Sequence, residues 1–255
     1  MKKILIIIFL IQCFCCFANK TKLYHGNMIF QCVKISEDST EFIDFDLKET
    51  NQKNDVWNNV FSYKIENKDN INFLIIERGL FNKRFLYLSS DELIVLYDDK
   101  NKEPFFIGYN TLPCETTFLL TDVKSDSELN ENGTVYFVSN LGNLNLEEPW
   151  VEGEFEYGIG TKLQIDSYSQ IFVIFSGFVS YSHPELYLEN SRPKLLRFYF
   201  TEADLFFDIN LNDYPDPQCF ILPDYAKGSI VVEILDVYKG TKYKDTCINC
   251  IMTSR

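Results

Sequence analysis

The chain has 255 residues, a formal net charge of −13, and an aromatic content of 16% carried mainly by 23 Phe and 15 Tyr. That acidity opposes binding to nucleic acid or to an anionic bilayer, both of which need Lys and Arg to displace counterions. A neutral ligand suits the charge better, although the same acidity also serves simply to keep an aromatic-rich protein in solution.

Residues 1–18 read as a signal peptide, with Lys2 and Lys3 ahead of the apolar run Ile4 to Phe17 and Ala18 at its end. The run is short for a membrane span, which needs roughly 20 apolar residues, so cleavage after Ala18 is expected. The competing reading is lipoprotein processing at Cys13, Cys15 or Cys16, and only then does a membrane enter, as an anchor. Either route puts the product outside the cytoplasm, as a secreted, periplasmic or cell-surface protein of a bacterium. Cleavage leaves Cys32, Cys114, Cys219, Cys247 and Cys250, an odd set that keeps at least one thiol unpaired. Cys247 and Cys250 form a C-x-x-C, which suits a redox pair or half a zinc site. No second C-x-x-C exists, and the only histidines are His25 and His183, so structural pairing or buried thiols is the expectation.

Through the first half, Phe, Tyr, Ile and Leu recur in short alternating runs separated by Asn, Asp, Lys and Gly, the pattern of strands joined by turns. Strands are predicted over Met28–Ile35, Glu41–Leu47, Val56–Ile65, Ile71–Glu77, Phe85–Leu88, Glu92–Tyr97 and Pro104–Tyr109. Turns are predicted at clusters such as Asn67-Lys68-Asp69-Asn70. Connections this short favour antiparallel neighbours, hence a β-meander that curls into a sandwich or a partly closed barrel. Its interior either encloses a small apolar ligand or packs solid. The expected organisation is a β-rich N-terminal domain of unknown role over 19–111, followed by a second β domain over 112–255.

The second half carries a spaced signature. It reads Pro149-Trp150-Val151-Glu152-Gly153, Tyr157-Gly158-Ile159-Gly160, the strands Lys162–Ile165 and Ile171–Phe175, and Ser176-Gly177-Phe178. It continues with Tyr187 to Asn190 and Arg192-Pro193-Lys194-Leu195-Leu196-Arg197-Phe198-Tyr199-Phe200, and closes with Val237 to Ile248. In order and spacing this resembles the NADase-type glycan-binding domain, a discoidin-like, coagulation-factor C-type module. The resemblance implies an antiparallel jelly-roll β-sandwich, which makes the whole chain all-β. It also implies glycan or glycoconjugate recognition through loops at one end of that sandwich.

Seven residues stand out as candidate ligand contacts: Trp150, Glu152, Tyr157, Tyr181, Tyr187, Asn190 and Arg192. Each has a structural alternative. Trp150 suits a core edge with its indole N–H bonded as well as stacking on a ligand, and Glu152 suits fixing its loop as well as accepting from sugar hydroxyls. Arg192, with five donors in a rigid fork, either orients a glycan or clamps an Asp or Glu. Tyr157, Tyr181 and Tyr187 offer flat faces to sugar C–H groups or simply pack, and Asn190 lies in the loop ahead of Arg192. Gly153, Gly158 and Gly160 mark turns that a Cβ would obstruct.

Related modules often hold calcium near the tryptophan. Here the corresponding loop runs Leu141 to Glu148, with Asn143, Asn145 and Glu148 as the available oxygens and Cys250 near where a C-terminal glutamate would stand. That set is depleted for a cation wanting several oxygens, so neither a metal nor a cofactor is expected. No G-x-G-x-x-G, G-x-S-x-G or H-E-x-x-H occurs, and His25 and His183 sit in polar settings. The reading is of a non-catalytic glycan-binding protein. The alternatives are a structural or protein-interaction role in the cell envelope, with a protein partner on the N-terminal domain, and a hydrolase built on paired carboxylates.

Overall fold

The computed structural model describes residues 21–26, 31–36, 41–46, 59–78, 81–98, 103–109, 118–120, 122–167, 169–223 and 228–254. The signal-peptide segment with its cysteines, and the expected domain boundary near 111, lie outside them. The first strands are β1 (Thr21–Gly26), β2 (Gln31–Ser36), β3 (Glu41–Asp46) and β4 (Asn59–Lys68). They continue as β5 (Ile71–Arg78), β6 (Phe81–Ser89), β7 (Leu93–Asp98) and β8 (Glu103–Tyr109). Each pairs with the next, and β1 pairs with β8 through His25 and Tyr109, which closes a barrel. The sequence pattern predicts a meander that curls into a sandwich or a partly closed barrel, and does not include β1; closure removes both sheet edges. Asp69 and Asn70 form the two-residue β4–β5 turn with φ of 52° and 67°. Both are residue types that tolerate this left-handed turn, whose twist matches that of the strands.

The second half supplies β9 (Phe118–Leu120), β10 (Val123–Lys124), β11 (Asn130–Glu131), β12 (Thr134–Val135), β13 (Trp150–Val151) and β14 (Lys162–Ser167). It continues with β15 (Ile171–Ser176), β16 (Arg192–Phe200), β17 (Leu205–Asn210), β18 (Gln218–Ile221), β19 (Gly228–Tyr238) and β20 (Cys247–Ser254). Two antiparallel sheets face each other, ordered β10-β14-β19-β16-β17 and β13-β20-β15-β18, with β9 also on β20. The alternation read in the sequence is realised here. Along β14, Leu163, Ile165 and Ser167 point inward while Lys162, Gln164 and Asp166 face solvent. Phe172 and Ile174 of β15 meet Leu196, Phe198 and Phe200 of β16, with Ile230, Val232 and Ile234 of β19, in one core between the sheets.

Strand β7 explains how the two halves join. Its run Leu-Ile-Val-Leu-Tyr is buried throughout. Ile94 and Leu96 face the barrel interior with Leu74, Ile76, Phe85 and Phe106. Leu93, Val95 and Tyr97 face outward, with Phe73 of β5 and Leu86 and Leu88 of β6. This outer face packs on Val173 and Phe175 of β15 and Cys250 and Met252 of β20, the back of one sandwich sheet. Each such side chain, fully buried, contributes roughly 1.5–3 kcal/mol, so the seam couples barrel and sandwich firmly. Among the described residues, Ile35, Leu74, Ile76, Phe85, Ile94, Leu96 and Phe106 form an apolar cluster inside the barrel.

Candidate functional site

The starts of β14, β16 and β20 and the ends of β15, β17 and β19 share one end of the sandwich. The signature residues converge on that end, mostly with their side chains turned inward. Trp150 is fully buried in the inter-sheet core, and its Nε1 donates to the Ser127 carbonyl at 2.9 Å. Glu152 is buried as well: one carboxylate oxygen accepts the Thr246 N–H at 3.1 Å and the other the Glu154 N–H at 2.6 Å. Burial raises the Glu152 carboxyl above its ordinary value, against the opposing pull of those two N–H groups. A Cβ on Gly158, whose φ is +62°, would run into the Glu152 side chain, so that glycine admits the carboxylate. Gly153 is crowded by the Glu128 backbone, but Gly160 has open space and needs glycine only for its φ of +95°.

Three further candidates form a second internal assembly. Arg192, 4% exposed, takes Asp213 with Nε and Nη2 and donates through Nη1 to the Tyr187 and Asn190 carbonyls. The Tyr187 ring is buried beside this guanidinium and its hydroxyl donates to Asp213; burial pushes that phenol upward. Asn190, also buried, donates to the Leu186 carbonyl, where the helix α1 (Leu186–Glu189) ends. Tyr181 belongs to the seam instead: it stands edge-on to Phe73 and donates to the Arg84 carbonyl of the barrel. Trp150, Glu152, Tyr187, Asn190 and Arg192 are all buried and follow the structural alternative, each making hydrogen bonds inside the protein.

Tyr157 is the candidate that stays half-open at the loop end, with the Lys239 and Lys244 ammoniums 4.7 and 5.7 Å from its ring centre. Beside it the sequence reading missed Phe155, 90% exposed, and Ile159, 58% exposed. Both border a cleft of about 460 Å³ whose other walls include Ser125, Asp126, Glu154 and Lys162. That volume is ordinary for a small-ligand site. Thr161, 6% exposed, lines the cleft with an Oγ1 that has no hydrogen-bond partner among the described residues. The walls are pinned: Gly153 N–H donates to Ser127 Oγ, and Ser125 Oγ donates to the Lys162 carbonyl. The signal that would have found Phe155 is its setting, an aromatic between Glu154 and Glu156 inside a loop bounded by Gly153 and Gly158.

A family model described as the NAD glycohydrolase translocation F5/8 type C domain matches residues 114–254. The chain belongs to this family. Its signature residues thus do in this member what has just been described: they hold the frame of the sandwich. Among solved structures, one described as GH31 CBM32-2 bound to GalNAc is similar at 12% identity and a TM-score of 0.36, covering 55% of this chain and 99% of that one. A search of curated proteins finds no match.

Two other sequence readings find their place. Asn143 and Asn145, two of the oxygens weighed for calcium, accept the backbone N–H groups of Asn145 and Glu147. Cys247 and Cys250 are both buried with free thiols, and burial holds each well above the ordinary cysteine value, which suits inert thiols and not a redox pair.

Proposed function

We propose that this chain is an exported, non-catalytic glycan-binding protein that takes its ligand at the loop end of the sandwich, in the cleft bordered by Phe155 and Ile159. The observation that carries this reading is the exposure of Phe155 on a loop that Glu152, Gly158 and Thr246 hold in place. A large aromatic left in water costs solvation, and a rigid ring beside hydroxyl, carboxylate and ammonium groups is what a sugar needs: C–H groups on its face and hydroxyls at its edge. Family membership supports a binding module, and the basic and apolar residues at the start of the chain support export. Tyr157 remains in the proposal as a second ring at the same rim.

A glycan array with the purified protein tests it, with Phe155→Ala in parallel. Binding to a defined set of glycans that disappears in Phe155→Ala is expected. Silence across the array, or full binding by the variant, overturns the proposal.

A further inference from the structure

The sandwich sheet β10-β14-β19-β16-β17 ends on β17, and among the described residues no strand pairs with its outer edge. The ladder on the other side fixes which backbone groups stand on that edge. Leu211 donates its N–H to the Lys194 carbonyl, and on the other flank of β16 Thr201 donates to the Ser229 carbonyl. Alternation then turns the N–H and C=O of Leu205, Phe207 and Ile209 toward β16, and those of Phe206 and Asp208 outward. Pairing between β16 and β17 runs without a bulge, so the outward groups form a regular edge.

The side chains of this strand are not those of a guarded edge. Leu205, Phe206 and Phe207 are consecutive and all exposed, Phe206 at 55%. Leu205 and Phe207 lie opposite the buried Phe200 and Phe198, on the inward face of the sheet, so they prolong the core face beyond what the facing sheet covers. Free edges are commonly protected by Lys, Pro, a bulge or an unpaired charge, and β17 has none of these. Its one charge, Asp208, is neutralised by Arg197 through Nε at 2.7 Å and Nη2 at 2.8 Å, and that guanidinium stands 4.0 Å from the centre of the Phe206 ring.

An edge of this kind is completed by another strand, and its charges select a copy of itself in one register. Consider antiparallel pairing of β17 with β17 of a second copy about a twofold axis. Centred on Phe206, the axis sets Asp208 against Asp204 of the second copy; centred on Asp208, it sets that carboxylate against its own equivalent. Both oppose like charges, which destabilises a strand pair. Centred on Phe207, it sets Phe207 against its equivalent, Leu205 against Ile209 of the second copy, and Phe206 against Asp208 of the second copy, a carboxylate its own Arg197 already neutralises. In this register the outward groups also meet: Phe206 and Asp208 of the second copy exchange both backbone hydrogen bonds, and the axis repeats the exchange. We propose that this chain forms a twofold dimer through β17, which joins two sandwich sheets into one continuous sheet and covers Leu205 and Phe207. This interface is separate from the Phe155 cleft.

Sedimentation equilibrium of the purified protein at physiological ionic strength, where repulsion between two acidic copies is screened beyond about 8 Å, tests this. A reversible monomer–dimer equilibrium is expected. Phe206→Pro removes an outward N–H while leaving the bonds to β16, and Phe207→Lys sets two ammonium groups against each other on the axis. Each is expected to weaken dimerisation at least about tenfold, with an unchanged far-ultraviolet circular dichroism spectrum, whereas Phe155→Ala is expected to dimerise as the parent does. Phe207→Cys reports the register itself. At a non-hydrogen-bonded pair the Cα atoms stand about 4.5 Å apart, within disulfide reach, so mild oxidation is expected to give a covalent dimer that the parent chain does not give. This cross-link decides the case if either of the weakening variants misfolds. A monomer at every concentration, parental dimerisation in Phe206→Pro and Phe207→Lys, or a dimer without the Phe207→Cys cross-link overturns the proposal.

Discussion

The guanidinium of Arg192 holds the Asp213 carboxylate in two parallel hydrogen bonds, Nε to Oδ1 at 2.7 Å and Nη2 to Oδ2 at 2.9 Å. The pair ties the first residue of β16 to the loop after β17, and the third nitrogen of Arg192 closes on the carbonyls of Tyr187 and Asn190 in the connection before β16. Gly177 packs directly on the Tyr187 ring and the Arg192 side chain, where a Cβ would come within 2.9 Å of each. The cation therefore ties the β15–β16 connection to the β17–β18 connection at the end of the sandwich that carries the proposed glycan cleft.

Asp213 looks dispensable from its exposure, yet removing it leaves a buried guanidinium with carbonyls alone for company. Asp213→Ala is expected to lower stability by about 1 to 3 kcal/mol. Urea unfolding measures the loss, and the double variant Arg192→Met with Asp213→Ala is expected to recover part of it. A single variant as stable as the parent would remove the organising role.

The carboxylate of Glu152 receives an N–H on each oxygen. In Glu152→Gln one of those N–H groups would meet an NH₂, so a buried donor loses its acceptor. A loss of about 1 to 3 kcal/mol is expected, and Gly158→Ala is expected to destabilise as well, through a Cβ forced onto the same side chain. Thermal denaturation of the two variants checks this.

Asp216 gives a pH signature. Its folded-state carboxyl is lifted by burial to about 6, so the folded protein holds a proton over a window in which the unfolded chain has released it. Burying the charge costs stability above that window, and the cost fades as pH falls through about 6 toward the ordinary carboxylate range. Asp216→Asn is expected to raise the melting temperature at mildly alkaline pH, with the gain shrinking on acidification. A gain that stays constant with pH would show that burial of the charge is not its cause.

Phe155 is expected to separate stability from binding. Its ring touches mostly solvent, so Phe155→Ala should change unfolding free energy by no more than about 0.5 kcal/mol while abolishing glycan capture. A marked loss of stability would mean that the ring is packing, and the exposed-platform reading would fail.

The strands were legible because a half-buried strand must alternate, as Leu163 and Ile165 do against Lys162 and Gln164. The Asp69-Asn70 turn was legible because few residue types tolerate left-handed backbone. The sandwich was legible through the spaced signature from Trp150 to Arg192. Alternation states that a face is buried without stating against what. It therefore could not show that β7 serves two cores at once, or that the barrel closes.

Side-chain roles were less legible still, for the same reason. A Trp, Glu or Arg stands out in a sequence whether it points at a ligand or at its own backbone. The partner decides, and the partners are remote: Thr246 for Glu152 and Asp213 for Arg192. By itself the sequence determined an all-β chain with a sandwich of this family in its second half. Only tertiary packing decided that the signature residues face inward and that Phe155 is left in solvent, because desolvation and hydrogen-bond satisfaction are settled between segments far apart in the chain.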